Sequence, residues 1–156
     1  QHNHERRSNK MGPEYWSTLR NMIQDSRIMN ETKIKEFTDL LVWQEGHKLV
    51  VQIYKITKGL PKEETYSLID QMRRAATSIT SNIAEGFGRH SYKEKIQFYY
   101  LSQGSLLELK NQIYIAKDVG YLDQQAEHEI LVQINITHKL LQGIITKSKT
   151  FLNHKS

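Results

Sequence analysis

No cysteine occurs in this chain. That excludes disulfides, thiolate metal sites and a thiol nucleophile, and it suits a reducing compartment. Proline is nearly absent too, with 2 residues in 156, and glycine numbers 8. Long regular elements can therefore run unbroken. No stretch comes near the roughly 20 consecutive apolar residues that cross a bilayer, so no membrane association is expected. Arg6-Arg7 is followed by no apolar run, which argues against a secretory or twin-arginine signal. The cytoplasm is the default location.

What is present is enough chain for one domain with a real core. It carries a net charge of +5 and a pI near 9.3. Such an excess is compatible with nucleic acid or an acidic partner, although many basic proteins bind neither.

Residues 1–36 differ from the rest, being polar and rich in Asn and Arg. Met11 and Met29 are both natural start candidates. Tyr15, Trp16, Leu19, Met22 and Ile23 form a short amphipathic pattern that allows a marginal helix over 14–28. The segment reads as an upstream extension or flexible tail, with a functional arm as the other reading.

A first firm helix is expected over 39–58, capped by Thr38 or Asp39 through a side-chain oxygen. Leu40, Trp43, His47, Val50 and Tyr54 fall on one stripe at spacings of three and four. Gly59 ends it, and Pro61 suits the start of the next helix, where its missing N–H would be unpaired anyway. That second helix is expected over 62–86. Its apolar face is Leu68, Met72, Ala75, Ala76, Ile79, Ile83 and Phe87, and the small alanines let a neighbour approach closely. Gly86-Phe87-Gly88 closes it, since glycine accepts left-handed angles freely.

Ser91-Tyr92-Lys93-Glu94 is a capping box and the clearest boundary in the chain. It opens a third helix over 91–118, which Gly120 stops. Asp123 caps a fourth, over 123–149. Each of these two is roughly 40 Å long at 1.5 Å per residue. Short connections between long helices force antiparallel neighbours. The expected fold is thus all-α: an antiparallel up-down-up-down four-helix bundle over 37–149. A polar extension precedes it at 1–36, and a tail follows at 150–156.

The fourth helix carries Ile130, Leu131, Val132, Ile134, Ile136, Leu140, Leu141, Ile144 and Ile145. At 100° per residue these cover roughly 260° of the helix, where a stripe of about 100–140° serves a lone bundle. The third is similarly broad, with Leu101, Leu106, Leu107, Leu109, Ile113 and Ile115 pointing many ways. Such a surplus predicts self-association, against the simpler reading that scattered aliphatics are merely exposed.

Catalytic and metal motifs are missing. No Glu has a His three residues later, as di-metal bundles require. His128-Glu129 begins an H-E-x-x-H, but position 132 is Val. Gly86-Phe87-Gly88 starts a G-x-G-x-x-G, but position 91 is Ser and no strand precedes it. No catalytic residue, metal or cofactor is expected, and the lone His47 and His138 read as packed or exposed.

Two polar features remain. Gln71, Arg74, Ser78, Asn82, Glu85 and Arg89 follow one another at spacings of three or four along the second helix. This stripe either binds a ligand or phosphate backbone, or hydrogen-bonds to a neighbouring helix. Arg73, Arg74, Arg89, Lys93 and Lys95 gather around the corner between helices two and three, with His90, Tyr92 and Tyr99 nearby. Cations among aromatics can hold phosphates and stack on bases; a solvated helix face has the same composition.

The chain reads Phe37-x-Asp39-Leu40-x-Val42-Trp43-Gln44, then Leu60-Pro61-x-Glu63, then Gln71-x-Arg73-Arg74-Ala75-Ala76-x-Ser78-Ile79-x-x-Asn82-Ile83-Ala84-Glu85-Gly86. Arg89-x-Ser91 and Gly104-Ser105-x-x-Glu108-Leu109 follow. Over about 37–149 this resembles the bacterial four-helix-bundle family encoded in 23S rRNA intervening sequences. Gly46 departs from the pattern, where the family usually has Ala, at a helix cost of about 1 kcal/mol.

The resemblance implies a homopentameric ring. It also implies kinship with the accessory variability proteins of diversity-generating retroelements, whose basic ring binds RNA and a reverse transcriptase. The expected function is a non-enzymatic homo-oligomer associated with RNA or another nucleic acid through repeated basic surface. The alternative is a protein-interaction scaffold without nucleic acid.

Overall fold

A computed structural model describes residues 12–24 and 34–154. Its helices are α1 (Pro13–Gln24), α2 (Leu41–Thr57), α3 (Leu68–Gly88), α4 (Tyr92–Asp118) and α5 (Gln124–Asn153). Short 3-10 turns at Phe37–Asp39 and Lys62–Glu64 precede α2 and α3. No strand occurs among the described residues. Helices α2 to α5 form the antiparallel four-helix bundle. Each packs against its chain neighbours, and α2 closes the ring against α5, so α2 and α4 stand at opposite corners. The marginal N-terminal helix appears as α1, beside α5. The side chains of Tyr15, Trp16, Leu19, Met22 and Ile23, and residues 25–28, lie outside the described residues.

Two of the expected caps are in place. The Ser91 hydroxyl accepts the Glu94 amide at 3.2 Å and donates to the Glu94 carboxylate at 2.8 Å. That holds the Glu94 carboxyl below its ordinary range. Asp123 accepts the Ala126 amide at 2.8 Å. Gly120, at φ 89°, is the one described glycine with a positive angle, and it ends α4 as expected.

Several boundaries differ from the sequence reading. Asp39 does not cap α2. Its carboxylate accepts the amides of Lys35 and Glu36, both at 3.0 Å, and so builds the turn that delivers Leu40 as N-cap. Helix α3 begins at Leu68 rather than 62. The Glu64 carboxylate captures the Ser67 hydroxyl, the Leu68 amide at 3.3 Å and the Tyr121 hydroxyl at 2.9 Å, fixing a loop where a first turn was expected. Helix α5 continues to Asn153, into the supposed tail.

Gly86 corrects a reason as well as a boundary, because it stays helical inside α3. A methyl group on Gly86 would lie 2.7 Å from the Tyr99 ring, so its role is close approach of α3 to α4. Burial pushes the Tyr99 phenol up to about 12, with the neighbouring Tyr92 adding to the effect.

The core face of α2 is also not the expected stripe. Val42, Gly46, Leu49 and Ile53 point inward, together with Glu45. The buried Glu45 carboxylate is held by the Gln133 side-chain amide at 2.7 Å and by Lys48 at 2.9 Å. The same Gln133 amide donates to the Glu45 carbonyl at 2.9 Å, locking α2 to α5. Of the sequence stripe, Leu40 alone is buried, while His47 and Tyr54 face solvent.

Gly46 packs against α3, where an added methyl would sit 3.2 Å from Thr80 Cγ2. Gly46→Ala alone is expected to be nearly neutral, because about 1 kcal/mol of helix propensity opposes this crowding. In a Thr80→Ser background the same change should stabilise by about 1 kcal/mol. Urea unfolding of the four proteins checks the pair, and an equal effect in both backgrounds would refute the overlap.

Candidate functional site

The structure separates the five cations that the sequence placed together. Arg89 and Lys93 lie exposed at the α3–α4 turn, with the Arg89 guanidinium 4.6 Å from the Phe98 ring. Lys95 is half-buried at the same turn and works structurally. Its ammonium donates to the carbonyls of Phe87 at 2.5 Å and Gly86 at 3.4 Å. These are carbonyls from the last turn of α3, where a cation also meets the negative end of the helix dipole.

Arg73 and Arg74 lie fifteen or more residues earlier on α3, about 22 Å away at 1.5 Å per residue. Arg73 donates from Nε to Thr57 Oγ1 at 2.9 Å and stacks its guanidinium 4.6 Å from the Tyr54 ring. It therefore ties α3 to the end of α2. Arg74 makes an exposed pair with Asp70 at 3.5 Å.

Basic residues invisible as a group in the sequence join the α3–α4 end from far along the chain. Phe151 stacks on Tyr92 with centroids 5.0 Å apart, so the last turns of α5 lie beside the start of α4. Lys147 and Lys149 come with them, the latter 5.2 Å from the Tyr100 ring. Only the α4–α5 register reveals this. Over residues 34–154 as a whole, this end included, charge is nearly balanced, with fifteen Lys and Arg against thirteen Asp and Glu.

The polar stripe also divides. Ser78 and Ser105 share a hydrogen bond of 2.8 Å, and the Asn82 amide donates to the Ser78 carbonyl at 2.8 Å and hydroxyl at 3.1 Å. Beside them the buried Ser102 hydroxyl donates to the Ile79 carbonyl at 2.8 Å. Ser78 and Asn82 thus belong to a seam between α3 and α4, supporting the helix-to-helix alternative. Gln71, Arg74 and Glu85 remain on the surface.

Surplus apolar surface lies on α4, as the sequence reading expected of the third helix, but the broad apolar set of the fourth helix is mostly covered. In α5, Ile130, Leu131, Ile134, Leu140, Leu141 and Ile145 are all buried within the chain, because α2 and α4 cover both flanks. The exposed residues lie on α4: Tyr100, Leu101 (57%), Leu107 (54%), Ile115 and Val119 (56%). Gly104 sits among them in mid-helix, and a methyl group there would meet nothing within 4 Å. Internal packing thus gives no reason for glycine at that position.

A second outward face lies on α2. Phe37 and Trp43 meet edge to face at 5.5 Å, and Trp43 stacks on His47 at 4.8 Å. Val51 and Tyr54, about 40% exposed, extend this row along the helix.

Among the described residues, no group of three or more His, Asp or Glu side chains could hold a metal ion. His138 lies 3.1 Å from the Gln103 amide, and burial lowers its pKa, which keeps the ring neutral near pH 7. No described helix is long and apolar enough to cross a membrane.

Fold and surface define an all-α bundle with two outward apolar faces and a basic end. Residues 38–143 match the 23S rRNA-intervening sequence protein family, and the chain belongs to it. A similar solved structure comes from Bacteroides thetaiotaomicron VPI-5482, a protein of unknown function from the S23 ribosomal protein family. It is 22% identical, with a TM-score of 0.64, covering 68% of this chain and 96% of that one. That likeness concerns the fold alone. No curated protein matches the chain.

Arg73→Ala should cost about 1–2 kcal/mol of stability through the lost Thr57 bond and Tyr54 stacking. Arg74→Ala should change stability by less than about 0.5 kcal/mol. Chemical denaturation of both variants checks this, and equal costs would contradict the distinct roles assigned to the two arginines.

Proposed function

We propose that this chain is the non-enzymatic protomer of a closed homo-oligomer that associates with RNA through basic ends repeated around the assembly. The observation that carries the assembly is the pair of outward apolar faces on opposite corners of the bundle. Two different faces on opposite sides suit head-to-tail contacts, which close into rings. Leu101, Leu107 and the gap at Gly104 offer a receiving surface for the aromatic row of α2. The pentameric state follows the family resemblance.

Head-to-tail assembly has a specific signature. Val51→Glu on α2 and Leu101→Glu on α4 should each give chains of 18.3 kDa by light scattering. Mixed, they should form a dimer, because each retains the face that the other has lost. A monomeric wild type would overturn the assembly, and variants that stay monomeric when mixed would overturn the pairing of these faces.

RNA association is supported by Arg89, Lys93 and Lys149 at one end of the protomer, repeated with avidity in a ring. An electrophoretic shift is expected at about 50 mM salt and should weaken steeply as salt rises. The double variant Arg89→Glu, Lys93→Glu should reduce binding about tenfold or more without changing the assembled mass. No shift at low salt would sink the RNA reading.

A protein-interaction scaffold is the second reading, and the near balance of charge over residues 34–154 favours it. Nuclease-resistant capture of one defined protein partner, such as a reverse transcriptase, would select it.

A further inference from the structure

Gly104 is exposed in mid-α4, where glycine weakens a helix relative to alanine. A methyl group there would meet nothing within 4 Å, so packing inside the chain does not require it. Tyr100, Leu101 and Leu107 stand exposed one turn to either side and wall the gap. Gly143 in α5 is equally open, but its exposed neighbours Lys139, Gln142 and Thr146 are polar.

The seams of the bundle fix the height of this notch. On α3, Gly46 packs against Thr80, and Ser102 donates to the adjoining Ile79 carbonyl, so Gly46 and Ser102 are level. On α5, Gln133 holds Glu45 and lies about a turn and a half before His138, the partner of Gln103. Helices α4 and α5 are antiparallel, so Glu45 is level with Glu108. Gly104 falls between these two marks, at the height of the stacked Trp43 and His47 rings on α2.

We propose that the stacked Trp43 and His47 rings of one copy seat in the Gly104 notch of a second copy, and that the equal heights close the assembly as a ring. This rests on the assembly reading and states which residues meet. Helices α2 and α4 run in the same direction. Rotation about an axis along the bundle therefore brings them together in parallel and adds no rise per copy. Faces at unequal heights would add a rise at every contact and build an open filament. Tyr100, Leu101, Leu107 and Glu108 surround Gly104 as four residues surround the hole that takes a knob. Charge also favours this pairing over α2 against α2. The exposed ionised side chains of α2, Lys48 and Lys55, are both basic and would oppose each other there, whereas Glu108 is exposed beside the notch.

Light scattering of the full chain over a concentration series tests it. The wild type should reach one fixed multiple of 18.3 kDa and grow no further. Gly104→Leu fills the notch at an exposed helical position and should raise the concentration at half assembly by about tenfold or more. Gly143→Leu, the same change away from the face, should assemble as wild type. Trp43→Ala should weaken assembly too, and combining it with Gly104→Leu should recover part of the loss, because a smaller knob meets a filled hole. Thermal melting confirms that each variant folds. Unchanged assembly in Gly104→Leu, or losses that simply add in the double variant, overturns this proposal and leaves the assembly reading standing. A mass that keeps climbing with concentration overturns closure by equal heights, and a wild type of 18.3 kDa throughout overturns both readings.

Discussion

A carboxylate buried between the first and last helices of the bundle sets its geometry. Glu45 is 4% exposed, and a charge so placed is tolerated only when held by donors. Lys48 supplies one from its own helix and Gln133 another from α5. Short connections make neighbours of α2 and α3, α3 and α4, and α4 and α5. No short connection joins α2 to α5, and there the Glu45–Gln133 pair fixes register. It also fixes the roll of α2. With Glu45 turned toward α5, Leu49 and Ile53 face the core while His47, Val51 and Tyr54 face out. The exposed aromatic face is thus a consequence of where one charge is stored.

The α3–α4 contact follows a different rule, that of small groups and close approach. Gly86 admits the Tyr99 ring, while Ser78, Asn82, Ser102 and Ser105 satisfy one another and the backbone along the same seam. Much of the family-like motif on α3 is accounted for in this way. Its polar members Ser78 and Asn82 serve packing, and its arginines Arg73 and Arg74 sit at the far end from the basic corner. Any function at that corner rests on Arg89 and Lys93 together with lysines that α5 brings from more than fifty residues away.

These two seams determine what the outside of the bundle can do. Because α2 and α4 lie diagonally, their apolar faces point away from each other. The basic end lies at the α3–α4 turn and the end of α5, where repeated copies would concentrate a charge that is slight in a single bundle.

The sequence alone determined the helices and most of their ends. Ser91 with Glu94, Asp123 and Gly120 mark boundaries by local chemistry, since each satisfies or frees backbone groups within a few residues. The apolar face of α3 was legible for the same reason, being a single stripe. Tertiary structure decided the rest. Two stripes compete on α2, and spacing alone does not say which one is buried; the Glu45–Gln133 contact across 88 residues does. The breadth of apolar residues on α5 looked like surplus until two neighbours covered both its flanks. The cations Arg73, Arg74 and Arg89 are close in sequence, yet a helix rises 1.5 Å per residue and carries them about 22 Å apart. Local hydrogen bonding is written in neighbouring residues, whereas the choice of face and the company each charge keeps depend on partners that only the packed bundle brings near.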